Sequence, residues 1–226
     1  MKTCIDTYFA EYYNLPEDIR IKENQTDQPL FDLWDNKDHY IVAYKEGYAS
    51  FKNTNKDTIS VLGYDDYIKS MAKSKFQKNR PSCDFLIEDK DANTILLNEI
   101  TSSSNNIEGL KKPIPYRRHK DKIQYQGGKL EKVALQLLST LQTLSQVPEI
   151  KNKLQSYKKK ICLCSYKLYL GSNIPQIQST QIAFNRGIME IEKQTKSEGI
   201  KINNTEIERF GFEYRRISHS DTFVLN

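Results

Sequence analysis

The sequence predicts a mixed α/β protein: a central mixed β-sheet flanked by helices. Three observations carry this. Phe85–Ile87 and Ile95–Leu97 are apolar at successive positions, as in strands buried on both faces. Leu130, Val133, Ala134, Leu137, Leu138, Leu141 and Leu144 form one apolar stripe at helical spacing. A further apolar run, Ile161–Leu170, is bounded by Gly171. Strand, strand, long helix, strand and helix in that order describe a sheet covered by helices.

The elements follow in chain order. Ile5 to Tyr13 is a short helix; a polar stretch with Pro16 and Pro29 follows, and Phe31, Leu33 and Trp34 form a patch for docking. Residues 39–51 are two strands around a Lys45-Glu46-Gly47 turn. A helix starts at Gly63-Tyr64-Asp65-Asp66 and runs to about Phe76, with acids at its start and Lys73, Lys75 and Lys78 toward its end, matching the helix dipole. Pro81 closes that segment. Strands over Ser82–Ile87 and Thr94–Ile100 enclose the polar turn 88–93. Residues 102–128 lack periodicity and are expected to form a long ordered loop. After the long helix, which Pro148 ends, come a charged helix or loop (149–160), the 161–170 strand, a helix over 176–197 with Ile177, Ile182, Ile188 and Ile191 as core contacts, and a strand from Phe210 to Ile217.

Composition narrows the class. With 226 residues, 38% hydrophobic and 28% charged, the chain is long enough for a real core and too apolar for a disordered protein. The opening residues are broken by Asp6 and Glu11, and nothing approaches a membrane-spanning run, so a cytoplasmic protein without a membrane partner is expected. Cys162 and Cys164 point the same way on a strand. Their spacing is too short for a zinc knuckle, and buried reduced thiols are expected.

The net charge of +5 is unevenly spread. Lys111, Lys112, Arg117, Arg118, Lys120, Lys122, Lys129 and Lys132 face only Asp121 and Glu131 across residues 111–132. With Tyr116 and His119 interleaved, this segment suits phosphate contacts to nucleic acid, DNA or RNA, that read no base sequence. A solvated surface run is the plain alternative. Tyr214, Arg215 and Arg216 offer a second phosphate contact.

The chemistry is expected at Asp84 and Glu99. A hairpin centred near Asp91 sets position 84 opposite 98 or 99, so two carboxylates meet at the ends of buried strands. Their repulsion and lost solvation cost several kcal/mol unless compensated. A hard divalent cation compensates both, since Mg²⁺ is often held by one or two carboxylates plus phosphate and water. A solvent-facing pair at strand ends is the competing reading.

Asp84 after Pro81, a strand, a turn, a second strand ending Asn98-Glu99-Ile100-Thr101, a long amphipathic helix and another strand resemble the core of the PD-(D/E)XK nuclease superfamily, over residues 64–170. The resemblance implies a restriction-endonuclease-like core spanning residues 64–226. Residues 1–63 would be a helix and hairpin elaboration packed on it, in one compact unit. It implies that Asp84, Glu99 and the main-chain carbonyl of Ile100 hold Mg²⁺ or Mn²⁺ and that a lysine positions the attacking water. Thr101 stands where that lysine is expected. Some family members carry the lysine on the following helix, where Lys129 and Lys132 are the catalytic candidates, Lys129 favoured. Gln136, one turn after Lys132, is a candidate contact to the scissile strand or to that lysine. The implied activity is that of a metal-dependent endonuclease, a phosphodiester hydrolase in restriction or antiviral (phage) defence. Its alternative is an inactive nuclease-fold subunit that binds nucleic acid or a protein partner. A homodimer and a multi-protein complex both remain open.

Overall fold

The computed structural model describes residues 1–16, 18–35, 39–71, 80–103, 129–168 and 197–226. The loop expected over 102–128 is corrected at its start, where Ser102 and Ser103 are strand; its remainder, 104–128, and residues 176–196 of the helix expected over 176–197 lie outside these residues.

The N-terminal helical segment consists of α1 (Lys2–Cys4), a π-helical stretch (Ile5–Phe9) and α2 (Ala10–Tyr12). Ile5 and Phe9, four residues apart, turn into the core. Strands β1 (Glu23–Thr26), β2 (Leu30–Leu33), β3 (Ile41–Val42), β4 (Ala49–Lys52) and β5 (Ile59–Gly63) follow, and then helix α3 (Tyr64–Ser70). The main hairpin is β6 (Phe85–Asp89) and β7 (Thr94–Ser103). Helices α4 (Lys129–Ser145) and α5 (Pro148–Ser156) lead to β8 (Lys159–Leu168). The chain ends with β9 (Ile200–Ile202), α6 (Thr205–Glu208), β10 (Glu213–Ser218) and β11 (Thr222–Val224).

Among the described residues, seven strands form a mixed sheet in the order β1-β5-β6-β7-β8-β10-β9. Strands β5, β6 and β7 are an antiparallel meander, and β8 lies parallel to β7. A parallel neighbour needs a crossover, and α4 lies within it. The strand alternation sorts side chains onto two faces. Leu86, Ile95, Leu97, Cys162 and Cys164 pack with Val133, Leu137, Leu141 and Leu144 of α4. The leucine stripe is thus a core face, and Leu141 and Leu144 are fully buried. All four cysteines are unpaired, with Cys83, Cys162 and Cys164 buried.

The opposite face departs from expectation. Among the described residues, Phe85, Ile87, Leu96, Ile161 and Leu163 pack on a second sheet of order β11-β4-β2-β3 rather than on helices. Phe31 and Leu33 of β2 are buried against Phe51 and Phe223 rather than forming a docking patch; only Trp34 remains exposed. The two strands expected over 39–51 exist as β3 and β4, yet they do not pair with each other: β2 lies between them. Gly47 explains the tight return, because a Cβ there would lie 2.5 Å from the Leu33 carbonyl oxygen. Residues 1–63 therefore supply β1 and β5 to the main sheet, and β11, from the end of the chain, pairs with β4. Glu88 and Asp89, expected in the turn, extend β6 instead. No helix among the described residues is long and apolar enough to cross a membrane.

Candidate functional site

Two strand lengths create the site. β6 begins at Phe85, paired with Asn98, whereas β7 continues to Ser103. Beyond Asn98 the β7 main chain has no β6 partner, and the Asp84 side chain takes that place: its Oδ2 accepts the Ile100 N–H at 2.7 Å. In return, Glu99 Oε2 accepts the Asp84 N–H at 3.2 Å. By alternation, Glu99 shares the helix-facing side with Ile95 and Leu97, and Asp84 shares it with Leu86. Glu99 is 6% exposed, and Asp84 is half-buried.

Helix α4 closes over the pair. Gln136 Nε2 donates to Glu99 Oε1 at 2.6 Å and to the Ser82 carbonyl at 3.1 Å. One turn further, Thr140 Oγ1 accepts the Cys83 N–H at 2.9 Å. Gln136 thus tethers an acid. Helix α3 approaches from the other side: Tyr64 and Asp65 donate their main-chain N–H groups to the Asp84 carbonyl, at 2.8 and 3.3 Å. Asp65 Oδ1 accepts from Ser82 Oγ at 2.6 Å, and its other oxygen pairs with Lys69.

The electrostatics are dominated by acid. Burial pushes the Asp84 carboxyl up to about 7; the Ile100 N–H opposes this, Asp35 and Asp65 reinforce it, and Lys69 opposes it. Burial, together with Asp84 and Asp65, holds Glu99 well above the usual carboxylate range despite the bonds from Gln136 and the Asp84 N–H. Desolvation and like charge therefore act in the same direction on both groups. A divalent cation between them would reverse that direction. The donors suit a hard ion that keeps several waters: two carboxylates, with the Ile100 carbonyl as a further oxygen ligand. Among the described residues, no group of three or more His, Cys, Asp or Glu side chains is arranged to hold a metal ion. Any such ion would need oxygen from the main chain, water or substrate.

The lysine candidates separate. Lys132 is exposed on α4. Lys129 opens α4, two turns ahead of Gln136, and its side chain lies outside the described part. Thr101 is half-buried one alternation beyond Glu99. Among the described residues, Lys69 is a cation that acts on Asp84. Its position one turn after Asp65 was the available signal, an i,i+4 acid–base pair on a helix. Lys111, Lys112, Arg117, Arg118, Lys120 and Lys122 lie outside the described residues, as do Tyr116 and His119. The second phosphate contact is corrected in two of its three residues. Tyr214 is buried with its hydroxyl 3.2 Å from the Leu130 carbonyl, and Arg215 is bound to Glu213 and Glu198.

No family model, curated protein or solved structure matches the chain.

Proposed function

We propose that the protein is a metal-dependent nuclease that hydrolyses phosphodiester bonds, with Asp84, Glu99 and the Ile100 carbonyl as the ligands of Mg²⁺ or Mn²⁺. The observation that carries this reading is the pairing of two acids across β6 and β7, both raised by burial and neither neutralised by a directly bound cation among the described residues. The antiparallel meander followed by a parallel β8 supports a restriction-endonuclease-like core, because that topology brings the ends of β6 and β7 together beneath α4. When bound, the metal supplies positive charge at the phosphate oxygens and a more acidic water. The chain's own residues do the positioning. Gln136 fixes one oxygen of Glu99, and the Asp84 and Ile100 N–H groups fix one oxygen of each acid. Burial excludes the bulk water that would screen them. Lys129 is the lysine we assign to the nucleophilic water. A defence setting, restriction or antiviral, rests on the family resemblance alone.

A second reading has an observation of its own. Thr101 replaces the expected lysine and Lys132 faces solvent, which favours an inactive fold that binds nucleic acid or a protein partner. Incubation of supercoiled DNA and of single-stranded RNA with Mg²⁺ or Mn²⁺ separates the two. The nuclease reading predicts cleavage that falls by roughly a hundredfold or more in Asp84→Ala and Glu99→Ala, on the scale of losing a group that stabilises transition-state charge. Salt-sensitive binding without cleavage selects the inactive subunit, and cleavage undiminished by Asp84→Ala refutes the assignment of the site.

A further inference from the structure

Trp34 is used neither by the core nor by the acid pair. It is 38% exposed and is the chain's only tryptophan. One exposed aromatic side chain needs no explanation in itself; the setting of this one does. The main chain that presents it is tied down on two sides. The Trp34 N–H donates to the Tyr40 carbonyl at 2.9 Å, and the Tyr48 N–H donates to the Leu33 carbonyl at 2.8 Å. The Tyr48 ring thereby meets the indole edge-on, with centroids 5.3 Å apart and an interplanar angle of 60°. An edge-on neighbour fixes a ring without sandwiching it. Lys167 Nζ lies 4.9 Å from the centroid of the Tyr48 ring, so positive charge accompanies the aromatic pair.

Three connections put this pair at the open end of the hairpin. Tyr40, which accepts the Trp34 N–H, packs its ring on Phe85 with centroids 5.3 Å apart and donates its hydroxyl to Asp66 Oδ2 at 3.2 Å. Phe85 and Asp66 are the chain neighbours of Asp84 and Asp65. Asp35, next to Trp34, is one of the acids that raise Asp84. Lys167 stands opposite Ser102 in the β7–β8 register, beyond the pairing of Glu99 with Cys164. Asp84 and Glu99 face α4, whereas Phe85 faces the second sheet. A strand passing from the acids to Trp34 therefore crosses the end of β6, where β7 runs on without a β6 partner. The Asp35 carboxylate disfavours a phosphate beside the indole. The group that suits the ring is the uncharged face of a base.

We propose that the Trp34 indole stacks on an unpaired base of a nucleic-acid strand whose phosphate lies at Asp84 and Glu99, which makes single-stranded nucleic acid the substrate class. The inference rests on the nucleic-acid reading of those acids but not on their cutting anything. Stacking on an aromatic side chain tolerates any base, because every base has a π-face, and it requires that the base be out of a duplex.

Because Trp34 is the only tryptophan, its fluorescence reports the contact directly. Oligodeoxyadenylate is titrated into the wild-type protein in EDTA at low salt, where no metal-dependent cleavage occurs. It is expected to quench the emission, whereas an abasic oligomer with the same number of phosphates leaves the emission unchanged. With 3′-fluorescein-labelled oligodeoxyadenylate, Trp34→Ala is expected to weaken binding by roughly tenfold or more, and Trp34→Phe, which keeps a ring, by only a few-fold. Both variants should retain the wild-type far-ultraviolet dichroism, and a blunt duplex of the same length should compete poorly. No binding of oligodeoxyadenylate by the wild type, equal quenching by the abasic oligomer, equal competition by the duplex, or wild-type affinity in Trp34→Ala overturns the platform. A dimer in sedimentation that is lost in Trp34→Ala, without oligonucleotide binding, assigns the indole to a second copy of the chain and also overturns it. Base-dependent quenching in a protein that cuts no DNA or RNA sustains the platform and removes only the hydrolase. Cleavage abolished by Asp84→Ala, with oligonucleotide affinity unchanged in Trp34→Ala, does the reverse.

Discussion

The β6–β7 hairpin buries a carboxylate near each of its ends, and the two ends are held in opposite ways. At the turn end, Glu88 is 1% exposed, yet its Oε2 lies 2.7 Å from the N-terminal ammonium of Met1, its Oε1 accepts from the Tyr157 hydroxyl, and Lys153 Nζ is 3.7 Å away. Burial alone would raise its pKa, but the ammonium, Tyr157 and Lys153 together bring it below the ordinary value. At the open end, Glu99 is nearly as buried, and its close neighbours are Asp84, Asp65 and the amide of Gln136. Burial of an acid is therefore not in itself the mark of a site. Among the described residues, what separates the two ends is a directly paired cation: Glu88 has one, whereas the cation nearest in effect to Asp84, Lys69, is paired with Asp65. Glu88 belongs to the structure; on the proposed reading, Asp84 and Glu99 await a bound cation.

The difference is broken most severely at Glu88. Glu88→Gln leaves an ammonium buried without its counter-charge, and the expected loss is about 3–5 kcal/mol in urea unfolding at pH 7. At the open end, neutralising an acid should have the opposite sign. Asp84→Asn keeps an oxygen for the Ile100 N–H and removes the repulsion with Glu99. We expect its thermal midpoint in EDTA to rise by a few degrees at pH 8, on the scale at which about 1 kcal/mol moves a domain of this size, and to match the wild type at pH 4. The sign follows from proton linkage. With a folded pKa of about 7 against an ordinary 3.8, the native state keeps a proton that the unfolded chain has released, so wild-type stability is fullest below about pH 4 and declines as pH rises through 7. Glu88, held low, contributes in the other sense: its share is present above the ordinary carboxylate range and is lost on acidification. A smaller loss than that of Glu88→Gln is expected at Tyr157→Phe, which deletes one donor to Glu88 while the ammonium remains, about 1–2 kcal/mol in the same unfolding assay.

Much of this arrangement follows from local pattern. The turn centred near Asp91 predicts that 84 and 99 face each other, and Phe85 stands opposite Asn98, the same register. The leucine stripe likewise predicts a helix, and its buried side is the one that meets the sheet. What local pattern could not convey is which distant segment covers which face. Alternating Phe31 and Leu33 mark a strand side, but the partner is Phe223, close to the other end of the chain, and nothing near residue 31 announces it. Gln136 carries a signal beyond its nearness to Lys132. It, Thr140 and Thr143 are polar, recur at helical spacing beside an apolar stripe, and the two threonines are buried, so each needs a hydrogen-bond partner. Nothing local places Glu88 in a strand rather than the turn, because its counter-charge, the ammonium at Met1, is remote in sequence. The site acids were easier to find because their pairing is local to one hairpin.

Calorimetric titration of Mn²⁺ into the wild-type protein and into Asp84→Asn, at pH 8 and pH 6, tests the central claim most directly. A cation shared by Asp84 and Glu99 predicts one ion bound by the wild type, more weakly at pH 6 because protons must leave the acids first, and none bound there by Asp84→Asn. Equal binding by both proteins, or no binding by the wild type at pH 8, would contradict it.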